Sequence, residues 1–300
     1  MNIALDSTIS AVDFNGVDIA AVEFNGVEVW RKASPIPDTW DSKTWNNFTN
    51  VYGDNIWKAG NDIYYSSTSN QYVLNKATST WNTKTWNNAP TFDFYGRYIW
   101  TDGTDIYYSY NAVNKVLGKQ YGTFTRVWSD KTWSGLGTVK LRGDRIWTDG
   151  TDMYYSAYED SSGTYKYTHL VLDKSTSTWT EKTWNGYSDF QCSEVWTDGD
   201  NVYLSRKIGS DYVHYILDKS TSTWNVKTWN GITTFTGQGI WTDGTNIYSG
   251  KSYILNKNTS TWSNKTWVSA PTISDGKNVW TDGDDIYYSY SSTQKVLVKP

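Results

Sequence analysis

The fold is decided by a unit that the chain repeats, and residues Ile99–Trp133 spell one copy of it: IWTDGTDIYYSYNAVNKVLGKQYGTFTRVWSDKTW. Tryptophan marks three positions of each copy, so that every tryptophan of the chain except Trp30 belongs to the repeat. The three series are Trp40, Trp81, Trp128, Trp179, Trp224 and Trp262; Trp45, Trp86, Trp133, Trp184, Trp229 and Trp267; and Trp57, Trp100, Trp147, Trp196, Trp241 and Trp280. Self-similarity at about 40–50 residues per unit is the signature of a propeller or a solenoid.

Each unit is predicted to form four β-strands, here called a to d. The apolar pair Ile99-Trp100 is followed by an Asp-Gly turn, Thr101–Thr104, and then by Asp105–Ser109, which is rich in β-forming residues. An apolar-flanked Asp-Gly is a strong hairpin signal, and a second turn separates c from d. Strand b carries apolar or aromatic side chains towards both faces, with Ile106 and Tyr108 opposite Tyr107. A sheet covered on both faces is typical of a propeller blade that packs between two others.

The two ends of the array complement each other. It opens at Trp40–Trp45 with a strand d that lacks its own a, b and c, and it finishes at Val279–Val298 with an a, b and c that lack a d. Pairing these fragments removes the exposed edges that an open array would leave. The sequence therefore predicts a closed six-bladed β-propeller of four-stranded blades, in which the N-terminal strand d completes the C-terminal blade.

Composition excludes several classes of function. A formal net charge of −4 argues against a surface that binds nucleic acid, which needs clustered Lys and Arg. No apolar run has the length of a membrane span, so we expect no membrane insertion. The segment Met1–Asp6 has neither the basic nor the apolar region of a signal peptide. The single Cys192 excludes a framework of disulfides within the chain.

The segment Val171–Trp179 and its copy Ile216–Trp224 resemble the kelch repeat, in which a hairpin precedes a Val-Tyr-Asp-x-x-Thr-x-x-Trp pattern. The resemblance covers residues 38–300 and implies blades of four strands. The unit departs from kelch at the end of strand b, where Tyr-Tyr-Ser replaces the expected Gly-Gly.

The first thirty residues form a different pattern, because Val12–Ile19 recurs as Val22–Val29 with an Asn-Gly turn in each copy. We expect a three-stranded meander over residues 1–32, and residues 33–37 read as a short stiff linker. The doublet resembles segments of bacteriophage tail and other virion proteins. A meander this small is marginal by itself, so it is expected to dock on another surface.

The two faces of the propeller differ in how far their connections vary. The a–b turn is Thr-Asp-Gly in five of six copies, whereas the b–c and d–a connections diverge, with Ser156–Val171 the longest. Binding sites concentrate on divergent loops of a rigid scaffold, although unconstrained loops also drift. We predict ligand contacts on the d–a and b–c face at Phe94, Tyr95, Arg97, Arg142, Tyr158, Tyr165, Tyr167, His169, Tyr187 and Phe190. The repeated tryptophans are predicted to pack blade against blade.

Metal and catalytic chemistry find little support. The Asp-Gly-x-Asp segments, as at Asp102 and Asp105, lack a full ligand set for Ca²⁺, and Asp-Gly is what a type I′ turn demands. His169 and His214 lie in or beside b–c loops, and no motif supplies a nucleophile for them. We expect no cofactor and no enzymatic activity.

The leading hypothesis is a non-enzymatic virion component, made in the host cytoplasm, joined to other virion structural proteins through residues 1–32 and binding a host surface glycan. A free-standing lectin is the first alternative, and a glycan-cleaving enzyme is the second.

Overall fold

The computed structural model describes residues 39–298 apart from residues 69, 92, 120–125 and 162–163, together with the backbone of four N-terminal strands. Those strands are β1 (Val12–Phe14), β2 (Val17–Ile19), β3 (Ala21–Phe24) and β4 (Val27–Arg31). They form two separate hairpins, β1 with β2 and β3 with β4, instead of the expected three-stranded meander. Each half of the doublet thus carries two strands. The predicted linker 33–37 lies outside the described residues.

Six sheets of the predicted a–d order follow along the chain. Strand β5 (Asp41–Ser42) precedes blade 1, which consists of β6 (Ile56–Ala59), β7 (Asp62–Ser67), β8 (Asn70–Asn75) and β9 (Thr80–Thr83). Blade 2 is β10 (Ile99–Thr101), β11 (Ile106–Tyr110), β12 (Val113–Lys119) and β13 (Arg126–Asp130). Blade 3 is β14 (Ile146–Thr148), β15 (Met153–Ser161), β16 (Thr164–Asp173) and β17 (Thr178–Glu181).

The remaining blades keep this layout. Blade 4 is β18 (Val195–Thr197), β19 (Val202–Ile208), β20 (Asp211–Asp218) and β21 (Thr223–Val226). A two-residue strand, β22 (Asn230–Gly231), precedes blade 5, which is β23 (Ile240–Thr242), β24 (Ile247–Ser249), β25 (Tyr253–Asn256) and β26 (Thr261–Asn264). Blade 6 is β27 (Val279–Thr281), β28 (Ile286–Tyr290) and β29 (Thr293–Leu297), and β5 supplies its strand d.

Both ends of the array meet in blade 6, as predicted. Strand β29 pairs antiparallel with β5, with Lys295 opposite Ser42 and Val296 opposite Asp41. The Gln294 side chain strengthens this seam, because its Oε1 accepts from Trp45 Nε1 at 3.2 Å and its Nε2 donates to Val51 O at 3.1 Å. The ring is therefore closed by contacts between residues about 250 positions apart in the sequence.

Main-chain hydrogen bonds also join neighbouring blades at their outer edges. Ser134 follows Trp133 of blade 2, donates to Ser177 O at 3.1 Å and accepts from Trp179 N of blade 3 at 2.9 Å. An equivalent contact recurs at all six junctions, and at the closing one Trp40 N donates to Val268 O at 3.0 Å. These bonds satisfy polar groups that the outer strand would otherwise leave unpaired.

The tryptophans pack blade against blade, which confirms their predicted role. Trp100 of blade 2 stacks on Tyr107 at 4.5 Å and on Trp133 at 5.6 Å, and it meets Trp179 of blade 3 edge-on at 6.1 Å. Lys131 Nζ lies 4.6 Å from the Trp133 ring, so the Lys of each Lys-Thr-Trp covers the tryptophan after it. The six tryptophans that begin strand d are no more than 2% exposed.

The Asp-Gly turns are longer than predicted. Thr101 pairs with Ile106, so the a–b loop of blade 2 has four residues instead of the two of a type I′ turn. Asp102 Oδ1 closes this loop by accepting from Thr104 N at 2.9 Å and from Asp105 N at 2.8 Å, and Asp102 Oδ2 accepts from Tyr107 Oη. The carboxylate therefore serves the turn itself, as Asx turns do.

The described part of the chain contains no helix with the length and apolarity that a membrane crossing requires.

Candidate functional site

Six short 3-10 turns form a closed ring at the centre of the propeller, on the face that carries the d–a and b–c connections. Each turn directly precedes strand a of its blade and contacts the next turn, and the sixth contacts the first. We call this the 3-10 ring; its turns are Gly53–Asn55, Gly96–Tyr98, Gly143–Arg145, Cys192–Glu194, Gly237–Gly239 and Gly276–Asn278. The ring brings together side chains that are distant in the sequence, because successive turns start 39 to 49 residues apart.

Close backbone contact explains why five of the six turns begin with glycine. A Cβ on Gly96 would lie 2.0 Å from Asn55 O, and one on Gly143 would lie 2.1 Å from Tyr98 O. Cys192 occupies the sixth position, where its thiol donates to Ile146 O at 3.4 Å. Burial raises the pKa of this thiol to about 11, so it stays protonated and unreactive at neutral pH.

Charged and polar side chains follow the glycine position in every turn. These second residues are Asp54, Arg97, Asp144, Ser193, Gln238 and Lys277. Arg97 Nη1 lies 4.0 Å from Asp54 Oδ2. Arg142 donates two hydrogen bonds to Asp144, from Nε to Oδ1 at 3.2 Å and from Nη2 to Oδ2 at 2.9 Å. Burial raises the pKa of Asp54 despite the opposing charge of Arg97. The ring thus presents fixed charges of both signs.

Tyrosine and arginine side chains collect beside the 3-10 ring on blades 2 and 3. We call Tyr95, Arg97, Tyr98, Tyr110 and Arg142 the tyrosine–arginine cluster. Tyr98 and Tyr110 stack with centroids 4.2 Å apart, and the Arg97 guanidinium lies 4.8 Å from the Tyr95 ring. Arg142 lies 5.7 Å from Tyr98 and 5.8 Å from Tyr110. Tyr98 is buried, whereas Tyr110 and Arg142 are half-buried and reach solvent.

A second group surrounds Arg206, near the end of strand b of blade 4. Its Nη1 donates to Tyr187 Oη at 3.2 Å and to Tyr167 Oη at 3.4 Å, and its Nε lies 3.3 Å from Glu194 Oε1. Burial raises the pKa of Glu194, while the charge of Arg206 opposes that rise. Arg206 therefore holds two tyrosines from blade 3 and from the connection to blade 4.

The structure divides the predicted contacts into three groups. Those at the surface of this face are Tyr95, Arg97, Arg142, Tyr158, Tyr167 and Tyr187. Phe94, His169 and Phe190 belong instead to the core, at 2%, 8% and 0% exposure. The d–a connections turn one apolar side chain inwards over the strand d tryptophan, as Phe94 meets Trp128 edge-on at 5.5 Å. The side chain of Tyr165 lies outside the described residues.

Sequence reasoning missed Tyr98, Tyr110, Asp54, Asp144 and Arg206. Tyr110 and Arg206 look like ordinary strand residues, because only the packing of neighbouring blades brings them to this surface. A signal for the other three was present in the pattern Gly-x-x-Ile/Val-Trp, which five of the six copies share.

The two histidines lie in strand c, not in loops, and belong to a network that the repeat shares. Trp147 Nε1 donates to Ser156 Oγ at 2.9 Å, and Ser156 Oγ lies 2.9 Å from His169 Nδ1. His169 Nε2 lies 2.6 Å from Ser188 O, a carbonyl that accepts, so Nε2 carries the proton and Nδ1 accepts from the serine. His214 makes the same contacts with Ser205 and with Thr233 O.

Glutamine takes the place of these histidines in other blades. Gln71 and Gln294 occupy the equivalent position in blades 1 and 6. The main-chain carbonyls of both glutamines and both histidines accept from the backbone N–H of the lysine in a Lys-Thr-Trp segment. Gln71 Nε2 donates to Phe94 O and Gln294 Nε2 donates to Val51 O, as the histidines do towards their own d–a carbonyls. His169 and His214 are therefore parts of the scaffold.

This network predicts a loss of stability in mild acid. Burial lowers the pKa of His169 and of His214, so the unfolded chain binds more protons than the folded one below pH 6.5. The unfolding free energy therefore decreases by up to about 1.4 kcal/mol per pH unit for each histidine as the pH falls from 6.5 towards the folded-state pKa. The variant His169→Gln/His214→Gln should show a flatter slope of unfolding free energy between pH 6.5 and 5 in urea titrations. An unchanged slope would contradict the buried neutral histidines.

Comparisons with known proteins find distant structural likenesses. No protein-family model and no curated protein matches the chain. The extracellular domain of a protein described as a one-component system from B. thetaiotaomicron matches with a TM-score of 0.45 and 10% identity, covering 81% of this chain and 32% of that one. That of a hybrid two-component system from the same species gives 0.43 and 10%, covering 81% and 33%.

A protein described as exported, from Bacteroides fragilis, matches with a TM-score of 0.39 and 14% identity, covering 82% of this chain and 81% of that one. The chain spans about a third of the length of these two extracellular domains. At these identities and TM-scores the likenesses carry no argument about fold or function.

Proposed function

We propose that this protein is a non-enzymatic binding protein whose d–a and b–c face binds a glycan. The observation that carries the proposal is the tyrosine–arginine cluster, where Tyr110 offers a half-buried ring. Arg142 lies beside that ring, and Arg97 lies against Tyr98, on which Tyr110 stacks. Aromatic faces pack against the C–H surfaces of sugars, and arginine donates to hydroxyl oxygens. Two bonds to Asp144 hold Arg142 in place, which reduces the entropy lost on binding, and Arg97 donates to Tyr98 Oη.

Two observations favour binding over catalysis. The carboxylates of Asp54, Asp144 and Glu194 each lie against an arginine, and both ring nitrogens of His169 are engaged in buried contacts. General acid–base catalysis requires a group that can reach substrate and change its protonation state. These groups are committed to positioning their neighbours.

The virion is the setting that we propose for this binding. Its support is the resemblance of the doublet Val12–Val29 to phage virion segments, and the kelch resemblance of Val171–Trp179 accords with a binding propeller. Residues 1–32 would join the propeller to other virion proteins. Tail or capsid genes beside the coding sequence would agree with this setting, and a gene neighbourhood without them would count against it.

The binding face can be tested with two tyrosines in the same local sequence. Tyr110 and Tyr290 each end a strand b that reads IYYSY, but within the described residues Tyr290 meets the Tyr52 ring and no arginine lies over it. We expect Tyr110→Ala to lower retention on a glycan array about 10-fold or more, because truncating an aromatic contact at the centre of a binding site costs at least 1–2 kcal/mol. Tyr290→Ala should retain most of the binding.

The opposite face provides the second control. Asp149→Asn weakens an a–b turn in which the carboxylate accepts from Thr151 N and Asp152 N, so it should lower the melting temperature and spare binding. If Asp149→Asn loses binding and Tyr110→Ala keeps it, the binding site lies on the face of the a–b turns, and the proposed face is wrong. Turnover of any bound glycan would contradict the non-enzymatic proposal.

A further inference from the structure

Blade 5 contains a cavity of about 250 Å³ on the same face as the tyrosine–arginine cluster. It lies open to solvent between the b–c hairpin of blade 4 and the short b–c turn of blade 5, which runs from Ser249 to Tyr253. Small-molecule sites usually measure about 300–1,000 Å³, so this cavity suits a single sugar ring better than an oligosaccharide.

Two departures from the repeat, in separate segments of the chain, create this cavity. Blade 5 ends strand b early, so Trp241 Nε1 donates to Gly250 O at 2.7 Å where the equivalent tryptophans donate to a serine. The last residue of its 3-10 turn is Gly239, where the other turns carry a side chain. The shortened strand and the missing side chain at Gly239 both leave space in this cavity, because Gly239 and Gly250 both line it.

The lining side chains offer the chemistry that a sugar ring requires. Tyr212 and Tyr253 present partly exposed rings, and Thr234, Thr236 and Ser252 present hydroxyls that make no side-chain hydrogen bond within the described part of the chain. Lys251 is exposed at the rim, and the lining includes no carboxylate.

We propose that this cavity binds one terminal pyranose that carries a carboxylate, a residue of the uronic acid type. The inference rests on the proposed function and names a second subsite of that face. Tyr212 and Tyr253 pack against the ring, the threonine and serine hydroxyls bond its hydroxyls, and Lys251 attracts the carboxylate. A cation at a rim whose described lining holds no carboxylate favours this sugar over its neutral counterpart.

The repeat itself supplies a variant that fills the cavity. Gly239→Asn installs the residue that Asn55 and Asn278 provide in two other turns, and a Cβ at Gly239 would lie 3.9 Å from Gly250 N, an ordinary contact. The backbone of Gly239 is not in the left-handed region, so the variant should fold with an unchanged melting temperature. Its effect then reports on space in the cavity alone.

The experiment is a titration of the ¹⁵N-labelled full chain with methyl β-glucuronide, followed through the amides of Gly239, Gly250 and Lys251. We expect saturable shifts in the wild type and their loss in Gly239→Asn. Lys251→Gln should weaken binding of the glucuronide about two- to five-fold, the range of an exposed ion pair, and leave binding of methyl β-glucoside unchanged.

Three results would overturn the proposal: no saturable shifts at these amides, full binding by Gly239→Asn, or equal affinity for glucuronide and glucoside. Tyr110→Ala separates this test from that of the proposed function, because it should leave the glucuronide shifts intact. A third pattern would separate the two proposals: Tyr110→Ala loses binding to the glycan array, Gly239→Asn keeps it, and the wild type shows no glucuronide shifts. That pattern would refute the cavity site and leave the proposed binding face standing.

Discussion

Removing residues 294–300 should abolish the cooperative fold of the propeller or lower its melting temperature on the order of 20 °C. The deletion strips strand β29 from blade 6 and leaves Asp41–Ser42 without its partner strand. It also removes Val296 and Leu297, which are 6% and 0% exposed and lie in the cores on either side of blade 6. Losing two buried aliphatic side chains costs roughly 2–5 kcal/mol each, against a total stability of about 5–15 kcal/mol.

Calorimetry of the truncated chain beside a chain that lacks only residues 299–300 is the measurement. The shorter deletion follows the last strand and should leave the melting temperature within about 2 °C of the wild type, as surface changes do. Gln294→Ala should give an intermediate loss, because it breaks the bonds to Trp45 and Val51 but keeps the strand. A melting temperature that is unchanged by the removal of residues 294–300 would contradict the closure.

Trp100→Ala should cost about 3–5 kcal/mol of unfolding free energy, the range for a large aromatic removed from a packed core. Trp100 is 7% exposed, stacks on Tyr107 and Trp133, and bridges to Trp179 of the next blade. Its Nε1 also donates to Ser109 Oγ at 3.1 Å, so the variant leaves a buried hydroxyl without its donor. Both losses fall on the interface between blades 2 and 3.

Urea titration of Trp100→Ala beside Val226→Ala measures the difference, since Val226 is 79% exposed and should cost less than about 0.5 kcal/mol. A cost below about 1 kcal/mol for Trp100→Ala would show that the ring is not part of the core. Such a result would indicate that the repeated tryptophans are exposed and could stack against a sugar.

The blade layout could be predicted from particular residues because its causes are local and repeat six times. Alternation in Ile106-Tyr107-Tyr108 reports a strand with two covered faces, and the Asp-Gly pair reports a turn near Asp102. The length of that turn could not be predicted, because the Asp102 side chain closes a four-residue loop by accepting from two amides. A dipeptide signal indicates where a chain turns, whereas the loop length depends on side-chain bonds.

The candidate site was predicted less well, because burial depends on neighbours that are distant in the sequence. Phe94 and Phe190 look like loop aromatics, but each covers a tryptophan of strand d from within the blade interface. His169 looks like a loop residue, but it replaces the glutamine of other blades in a buried network. Tyr110 looks like a strand residue, but the start of blade 3 brings Arg142 against it.

The sequence alone determined the number of blades, the order of their strands and the pairing of the two ends, because periodic tryptophans and hairpin signals record contacts that recur in every unit. The tertiary structure alone decided which side chains surround the axis. Asp54, Arg97 and Asp144 lie on successive turns of the 3-10 ring, and the cavity of blade 5 exists because Gly239 and Gly250 meet. The residues that build the scaffold recur in every blade, so the sequence shows them six times. A site whose side chains come from different blades is formed once, and only when the ring closes.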